Sequence, residues 1–224
     1  MNTIILCGGK GERLKPITLE IPKPMVPVKG KPILWYILKQ LERFKINNIY
    51  IGVGYKSSII KEYLKTNFLN LNITIIDDGN VDIIIRIKSV VGLSPDKDIL
   101  ILYGDTISDV DIDNLVTFNE INNRPGTLTV WPLSIDFGVV ELNEKMEIIE
   151  FKEKPKLDKW INIGYFIMRK ELFKHLNGFD RFEDFLKYCG SNGFLNAYKH
   201  EGEHFTVNTL VELDLVEKNI DKIL

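Results

Sequence analysis

Short, unbroken apolar runs alternate with amphipathic stretches through the first half of the chain. Asn2–Cys7 carries Thr3, Ile4, Ile5 and Leu6 in succession, the pattern of a strand buried on both faces. Asn48–Val53, Ile73–Ile76 and Ile99–Tyr103 repeat that pattern. Between them, Lys31–Phe44 puts Ile33, Leu34, Ile37, Leu38 and Leu41 on one helical face, with Pro32 in its first turn. Ile59–Phe68 reads as the next helix, with Ser57 or Ser58 as its cap and Glu62 close to a capping-box position. Strands alternating with helices predict a doubly wound, mainly parallel α/β sheet, whose ligands sit beyond the carboxyl ends of its strands.

The second half changes period. Phe137–Lys152 alternates around Asn143-Glu144-Lys145 and predicts a β-hairpin. Ile161–Met168 and Leu195–His200 read as strands, Lys170–Leu176 and Phe182–Tyr188 as short helices, and Leu210–Ile223 as a closing helix. Asp111 or Asp113, in the string D-V-D-I-D from Asp109, is placed to cap a helix running toward Asn122. No repeat or linker interrupts the chain. The expectation is one mixed α/β domain over 1–224, its nucleotide half at 1–115 and its acceptor half at 116–224.

Composition narrows the classes. The 224 residues are 45% hydrophobic, and 29 Lys+Arg stand against 31 Asp+Glu for a net charge of −2. So even a balance gives no general pull toward nucleic acid or an acidic membrane, and any anion site has to be local. The two cysteines, Cys7 and Cys189, make neither a metal-ligand pair nor a secreted disulfide pattern. The expected setting is the cytoplasm, and the expected partners are small metabolites. His175, His200 and His204 form no convincing metal or triad set and are read as structural.

The stretch Leu6–Lys23 carries the chemistry. Gly8, Gly9 and Gly11 follow the first strand directly, where a glycine loop lets backbone N–H groups approach an anion. Arg13 and Lys23, the latter between Pro22 and Pro24, add two cations. No GK[ST] follows, so this is not a P-loop. The spacing and Pro16, Pro22 and Pro24 also exclude a dinucleotide fingerprint. Asp105, in LYGDT after an apolar strand, can reach a divalent cation shared by phosphates.

The strings GGKGERLKPIT…IPKPMVPVKGKPIL, GYKSSIIKEYL and FTVNTLVEL resemble the sugar-1-phosphate nucleotidyltransferases (nucleotide-sugar pyrophosphorylases), most nearly the glucose-1-phosphate cytidylyltransferases. That resemblance implies a Rossmann-like fold of the nucleotide-diphospho-sugar transferase type and transfer of a nucleotidyl group from an NTP to a sugar 1-phosphate. CTP is the first expectation for the base. GTP with a heptose or mannose 1-phosphate comes second, ahead of a non-sugar acceptor or a silent nucleotide-binding homologue. Arg13 and Lys23 would be the catalytic cations. Leu6, Gly8, Gly9, Gly11, Glu12, Arg86 and Gly104 would join them around the nucleotide. Gly138, Glu153, Lys154 and Asn162 would hold the sugar phosphate, and Asp105 and Asn208 would bind Mg²⁺. Relatives are often oligomers, and the sequence leaves a homo-oligomer open. Two departures stand out. Glu12 replaces a small hydroxyl residue, which requires it to turn to solvent or meet Mg²⁺. The stretch Asp77–Lys88 keeps Arg86 and Lys88 but lacks the glycine pair of the cytidylyltransferases.

Overall fold

The computed structural model describes residues 1–223. Its centre is β1 (Asn2–Cys7), six residues that are all buried. The chain then runs through α1 (Ile33–Arg43), β2 (Asn48–Val53), α2 (Ser57–Thr66), β3 (Asn72–Asp77), α3 (Ile83–Leu93) and β4 (Asp98–Tyr103). β5 (Thr106–Ser108), α4 (Ile112–Ile121), β6 (Gly126–Ser134), β7 (Val139–Leu142), β8 (Ile148–Lys152) and β9 (Lys156–Arg169) follow. The last elements are α5 (Phe182–Ser191), β10 (Leu195–Lys199), β11 (His204–Thr206) and α6 (Leu210–Asn219).

Seven strands form one mixed sheet in the order β10-β6-β9-β4-β1-β2-β3. All neighbours pair parallel except β9, which runs antiparallel to both β4 and β6. The chain leaves β1 toward β2 and β3, then returns to place β4 on the other side of β1. The crevice between the carboxyl ends of β1 and β4 is therefore the topological switch point, where such sheets bind ligands. Two apolar layers cover the sheet. One gathers Ile5, Leu34, Leu38, Ile51, Leu100 and Leu102 with α1, and the other gathers Ile4, Ile87, Ile99, Phe166 and Phe185 with α3 and α5.

The predicted strands stand where the apolar runs placed them, and the hairpin forms as β7 and β8 with Asn143 Oδ1 accepting from the N–H groups of Lys145 and Glu147. Asp111 caps α4, its Oδ1 accepting from Asn114 N–H at 2.9 Å. Two expectations, for α2 and for the closing helix, need correction, and one helix was not expected. Helix α2 starts at Ser57 with Lys56 at its cap, and no serine caps it, because Ser57 Oγ donates instead to Asp77. The segment from Ile83 to Leu93 is a helix, although its β-branched run has no helical period; Asp82 caps it. The closing helix α6 ends at Asn219, with a 3₁₀ turn over Ile220–Lys222. No helix of the described residues is long and apolar enough to cross a membrane.

Candidate active site

The switch-point crevice is built first by backbone. Gly104 N–H donates to Leu6 O at 3.1 Å, which locks the end of β4 to the end of β1. A Cβ at Gly104 would come within 2.6 Å of that carbonyl oxygen and 2.7 Å of Cys7 Sγ, so the approach requires glycine. Past Cys7 the chain turns through Gly8–Gly11. Gly11 takes φ +64°, a left-handed value that other residues rarely adopt, and Thr18 Oγ1 donates to its carbonyl at 2.8 Å. Among the described residues, the N–H groups of Gly9 and Gly11 meet no protein acceptor.

Four side chains converge beside this loop. Lys23 Nζ donates to Asp105 Oδ2 at 2.5 Å and to Asn208 Oδ1 at 2.8 Å. Arg13 Nη2 donates to the same Asn208 oxygen at 2.9 Å. Arg13 and Lys23 thus share one acceptor, which stands 195 positions from Arg13 in sequence. The reason is a short ribbon: β11 pairs antiparallel with β5 in the register Thr206↔Thr106, and Val207 N–H donates to Asp105 O at 3.3 Å. Period-2 alternation then turns Asn208 to the loop while Val207 packs in the core. Asn208 is not the cap of α6. Thr209 is, in a capping box with Glu212, and Glu212 Oε2 also accepts from Asn208 N–H at 2.6 Å.

A cavity of about 350 Å³ opens beside this cluster, lined by Leu6, Gly8, Lys23, Asn80, Tyr103 and Glu183 among others. A second hollow of about 260 Å³, shared by Gly11, Arg13, Asp105 and Asn208, adjoins it through Gly9 and Lys23. Glu12 borders this second hollow too, and its carboxylate pairs with Lys15 at the surface, which holds it below the usual range. That pairing offsets part of the repulsion a carboxylate there would exert on a triphosphate.

Arg86 lies under the loop. It is 1% exposed, and its guanidinium donates to the carbonyls of Val53, Gly79 (2.6 Å) and Val81 (3.2 Å). A Cβ on Gly8 or Gly54 would overlap it. Arg86, read from the sequence as a nucleotide contact, borders the cavity while its buried guanidinium ties the end of β2 to the loop before α3. Burial lowers its pKa, opposed by Asp78 and Asp77.

The acceptor residues divide into two groups. Asn162 lies beside the Tyr103 ring, its Oδ1 accepting from Gly164 N–H at 2.9 Å, and Gly164 takes φ +79° against that ring. Burial pushes the Tyr103 hydroxyl up to about 12. Gly138, Glu153 and Lys154 gather instead at the foot of the hairpin. A Cβ on Gly138 would come within 2.6 Å of Phe151 and 3.1 Å of Glu153 Oε2. Both Glu153 and Lys154 are exposed, and neither lines the cavity. Strand β9 connects the two groups. Sequence reading did not single out Tyr103, Asn80 or Glu183. Tyr103 was within reach, standing immediately before Gly104-Asp105. Glu183 has no local signal, since the start of α5 brings it in from far along the chain.

Comparison with known proteins gives the family and the fold. Residues 2–203 match the family model described as nucleotidyl transferase. The glucose-1-phosphate cytidylyltransferase of Salmonella typhi is 31% identical over 237 residues, covering 94% of this chain and 92% of that protein. The D-glycero-alpha-D-manno-heptose 1-phosphate guanylyltransferase of Campylobacter jejuni is 34% identical over 194 residues, covering 84% and 85%. The crystal structure of HddC from Yersinia pseudotuberculosis superposes with a TM-score of 0.76 at 20% identity, covering 98% of this chain and 99% of that one, and shares the fold.

Proposed function

The chain belongs to the nucleotidyl transferase family, and from that premise we propose that it joins an NTP to a sugar 1-phosphate, giving a nucleotide sugar and pyrophosphate. The observation that carries this reading is the meeting of Arg13, Lys23, Asp105 and Asn208 beside a glycine loop with free backbone donors. In this reading an oxygen of the acceptor phosphate attacks the α-phosphorus in line, and the bond from that phosphorus to pyrophosphate breaks on the far side. Little covalent help is needed. The protein holds two anions together and stabilises spreading negative charge.

The roles follow from position. Arg13, with its forked donors, takes the β- and γ-phosphates, and Lys23 takes the α-phosphate. The free N–H groups of Gly9 and Gly11 cradle the chain of phosphates. Asp105 and Asn208 direct a carboxylate oxygen and an amide oxygen at one point, where Lys23 supplies positive charge. Such a pair fits Mg²⁺, which takes one or two protein oxygens and leaves the rest of its shell to phosphates and water. Bound there, Mg²⁺ would neutralise charge on the phosphates. Tyr103 at the cavity with Asn162 beside it, and Gly138, Glu153 and Lys154 at the hairpin foot, are the proposed acceptor contacts. The domain is read as a nucleotide half at 1–115 and an acceptor half at 116–224.

CTP is the favoured base, supported by the likeness to the Salmonella cytidylyltransferase over most of both chains. The likeness to the Campylobacter guanylyltransferase favours GTP as the second reading. Pyrophosphate release across four NTPs and a panel of sugar 1-phosphates tests both. CTP turnover with glucose 1-phosphate supports the first, and GTP turnover with a heptose or mannose 1-phosphate supports the second. No turnover with any pair would overturn the proposal.

A further inference from the structure

Ser108, Asp109 and His200 meet at the end of β5 away from Asp105, and the proposed reaction uses none of them. His200 Nε2 lies 2.9 Å from Asp109 Oδ1, 3.1 Å from Ser108 Oγ and 3.3 Å from the carbonyl oxygen of Glu203. These are the residue types of a hydrolytic triad, but that relay needs the carboxylate and the hydroxyl on opposite ring nitrogens. Here both address the same one, and Ser108 is 2% exposed. The bonds form a clamp instead. Ser108 Oγ donates to Glu203 O at 2.8 Å, so it has only lone pairs to offer the ring. A carboxylate and a carbonyl also accept. Every partner of Nε2 is therefore an acceptor, which assigns the ring proton to Nε2.

The clamp closes on the turn at 201–203, which joins β10 to β11. Asp109 N–H donates to Glu203 O at 3.2 Å, and Trp131 Nε1–H donates to Gly202 O at 2.9 Å. His200 N–H donates to Val130 O at 2.9 Å, which fixes the end of β10 on β6. A Cβ on Gly202 would overlap Asp109 Oδ1 and come within 2.7 Å of His200 Cε1, so the turn lies directly on the pair. The turn matters because the ribbon it feeds is short. β5 and β11 pair only over Thr106↔Thr206, Ile107↔Phe205 and Ser108↔His204. A slip of one residue would turn Asn208 away from Asp105, because side chains alternate between faces. Near the crevice the register is held by Val207 N–H on Asp105 O at 3.3 Å, and at the far end by the clamp.

We infer that His200 and Asp109 are positioning residues for Asp105 and Asn208: by clamping the turn before β11 they hold the register that brings the Asn208 amide oxygen to the cation site. This rests on the reading of Asp105 and Asn208 as ligands of Mg²⁺. Asp109 stands four residues past Asp105. That is roughly 13 Å along an extended chain, so the clamp acts through the ribbon and not by contact with metal or phosphate.

Hydrogen exchange at the Val207 amide reads the register without metal or substrate, and isothermal titration with Mg²⁺ reads the site. His200→Gln keeps an N–H near the position of Nε2, whereas the shorter side chain of His200→Asn falls short of Asp109. His200→Asn should speed Val207 exchange and weaken Mg²⁺ binding, each about tenfold, with the amides of β4 as protected as before. His200→Gln should restore both. Asp109→Ala, at a side chain one-third exposed, should act as His200→Asn does with less risk to the fold. Unchanged Val207 exchange in both His200→Asn and Asp109→Ala would overturn the clamp. Faster exchange at unchanged Mg²⁺ affinity would overturn the positioning role, as would a His200→Gln variant no better than His200→Asn. A wild type that binds no Mg²⁺, while His200→Asn still frees Val207, would overturn the metal reading and support the hold on the register.

Discussion

The Asn208 amide oxygen receives hydrogen bonds from both Arg13 and Lys23, and Asp105 receives the other bond of Lys23. In the proposed reaction the two cations are thus held where phosphates arrive, by groups a divalent cation can also use. Arg13→Ala and Lys23→Ala should each lower kcat/KM by about a hundredfold, near 3 kcal/mol of transition-state stabilisation, with the fold intact. Near-normal turnover in either would remove that residue from the site. Asp105→Ala should abolish metal-supported turnover. Asn208→Asp should keep it and tighten Mg²⁺ binding by adding a charge; isothermal titration with Mg²⁺ reads the second effect, and weaker binding would count against the shared oxygen pair.

At the scale of the element, the site depends on how α6 begins. Thr209 Oγ1 accepts from Glu212 N–H, and Glu212 returns to the N–H groups of both Thr209 and Asn208. The capping box therefore also fixes the backbone that presents the Asn208 amide. Thr209→Ala should cost about 1 kcal/mol in urea unfolding and weaken Mg²⁺ binding as well. A loss of stability with unchanged Mg²⁺ affinity would limit the box to a structural role. The close approach of β4 to β1 makes a second test. Gly104→Ala forces a Cβ against Leu6 O and Cys7 Sγ, and should cost about 1–3 kcal/mol, the range for overpacking. A neutral result would show that the two strand ends move apart freely.

For the molecule as a whole, two groups with large shifts link acid to stability. Burial, helped by His200 and opposed by Asp105, pulls the His204 pKa from 6.5 to about 4. Its neutral form is favoured in the fold, so that contribution is complete above about pH 6.5 and fades as pH falls toward 4. Asp77 is lowered from 3.8 to about 2, chiefly by Lys61 and then by Ser57 and the Gly79 N–H. Its contribution is complete above about pH 4 and is lost toward pH 2. Urea unfolding at stepped pH should show a first decline between 6.5 and 4, absent in His204→Asn, and a second below 4, absent in Asp77→Asn. Identical profiles for wild type and variants would refute both assignments.

What the sequence determined by itself was local. Apolar runs marked β1, β2, β3 and β4, an asparagine turn marked the hairpin, and an aspartate marked the start of α4, because strand burial, turn geometry and capping each depend on a few neighbouring residues. Glycines after an apolar strand, with Arg13 and Lys23 close by, were enough to propose an anion site. The helix from Ile83 to Leu93 escaped because its isoleucines and valines favour strands, and packing against the sheet overrides that preference. The burial of Arg86 and the separation of Glu153 and Lys154 from the cavity had no local signal either. Tertiary structure decided these, and it set Asn208 beside Asp105 through the pairing of β5 with β11. Whether a charge meets solvent, a carbonyl or a ligand depends on which distant strands pack over it, and short-range pattern does not carry that information.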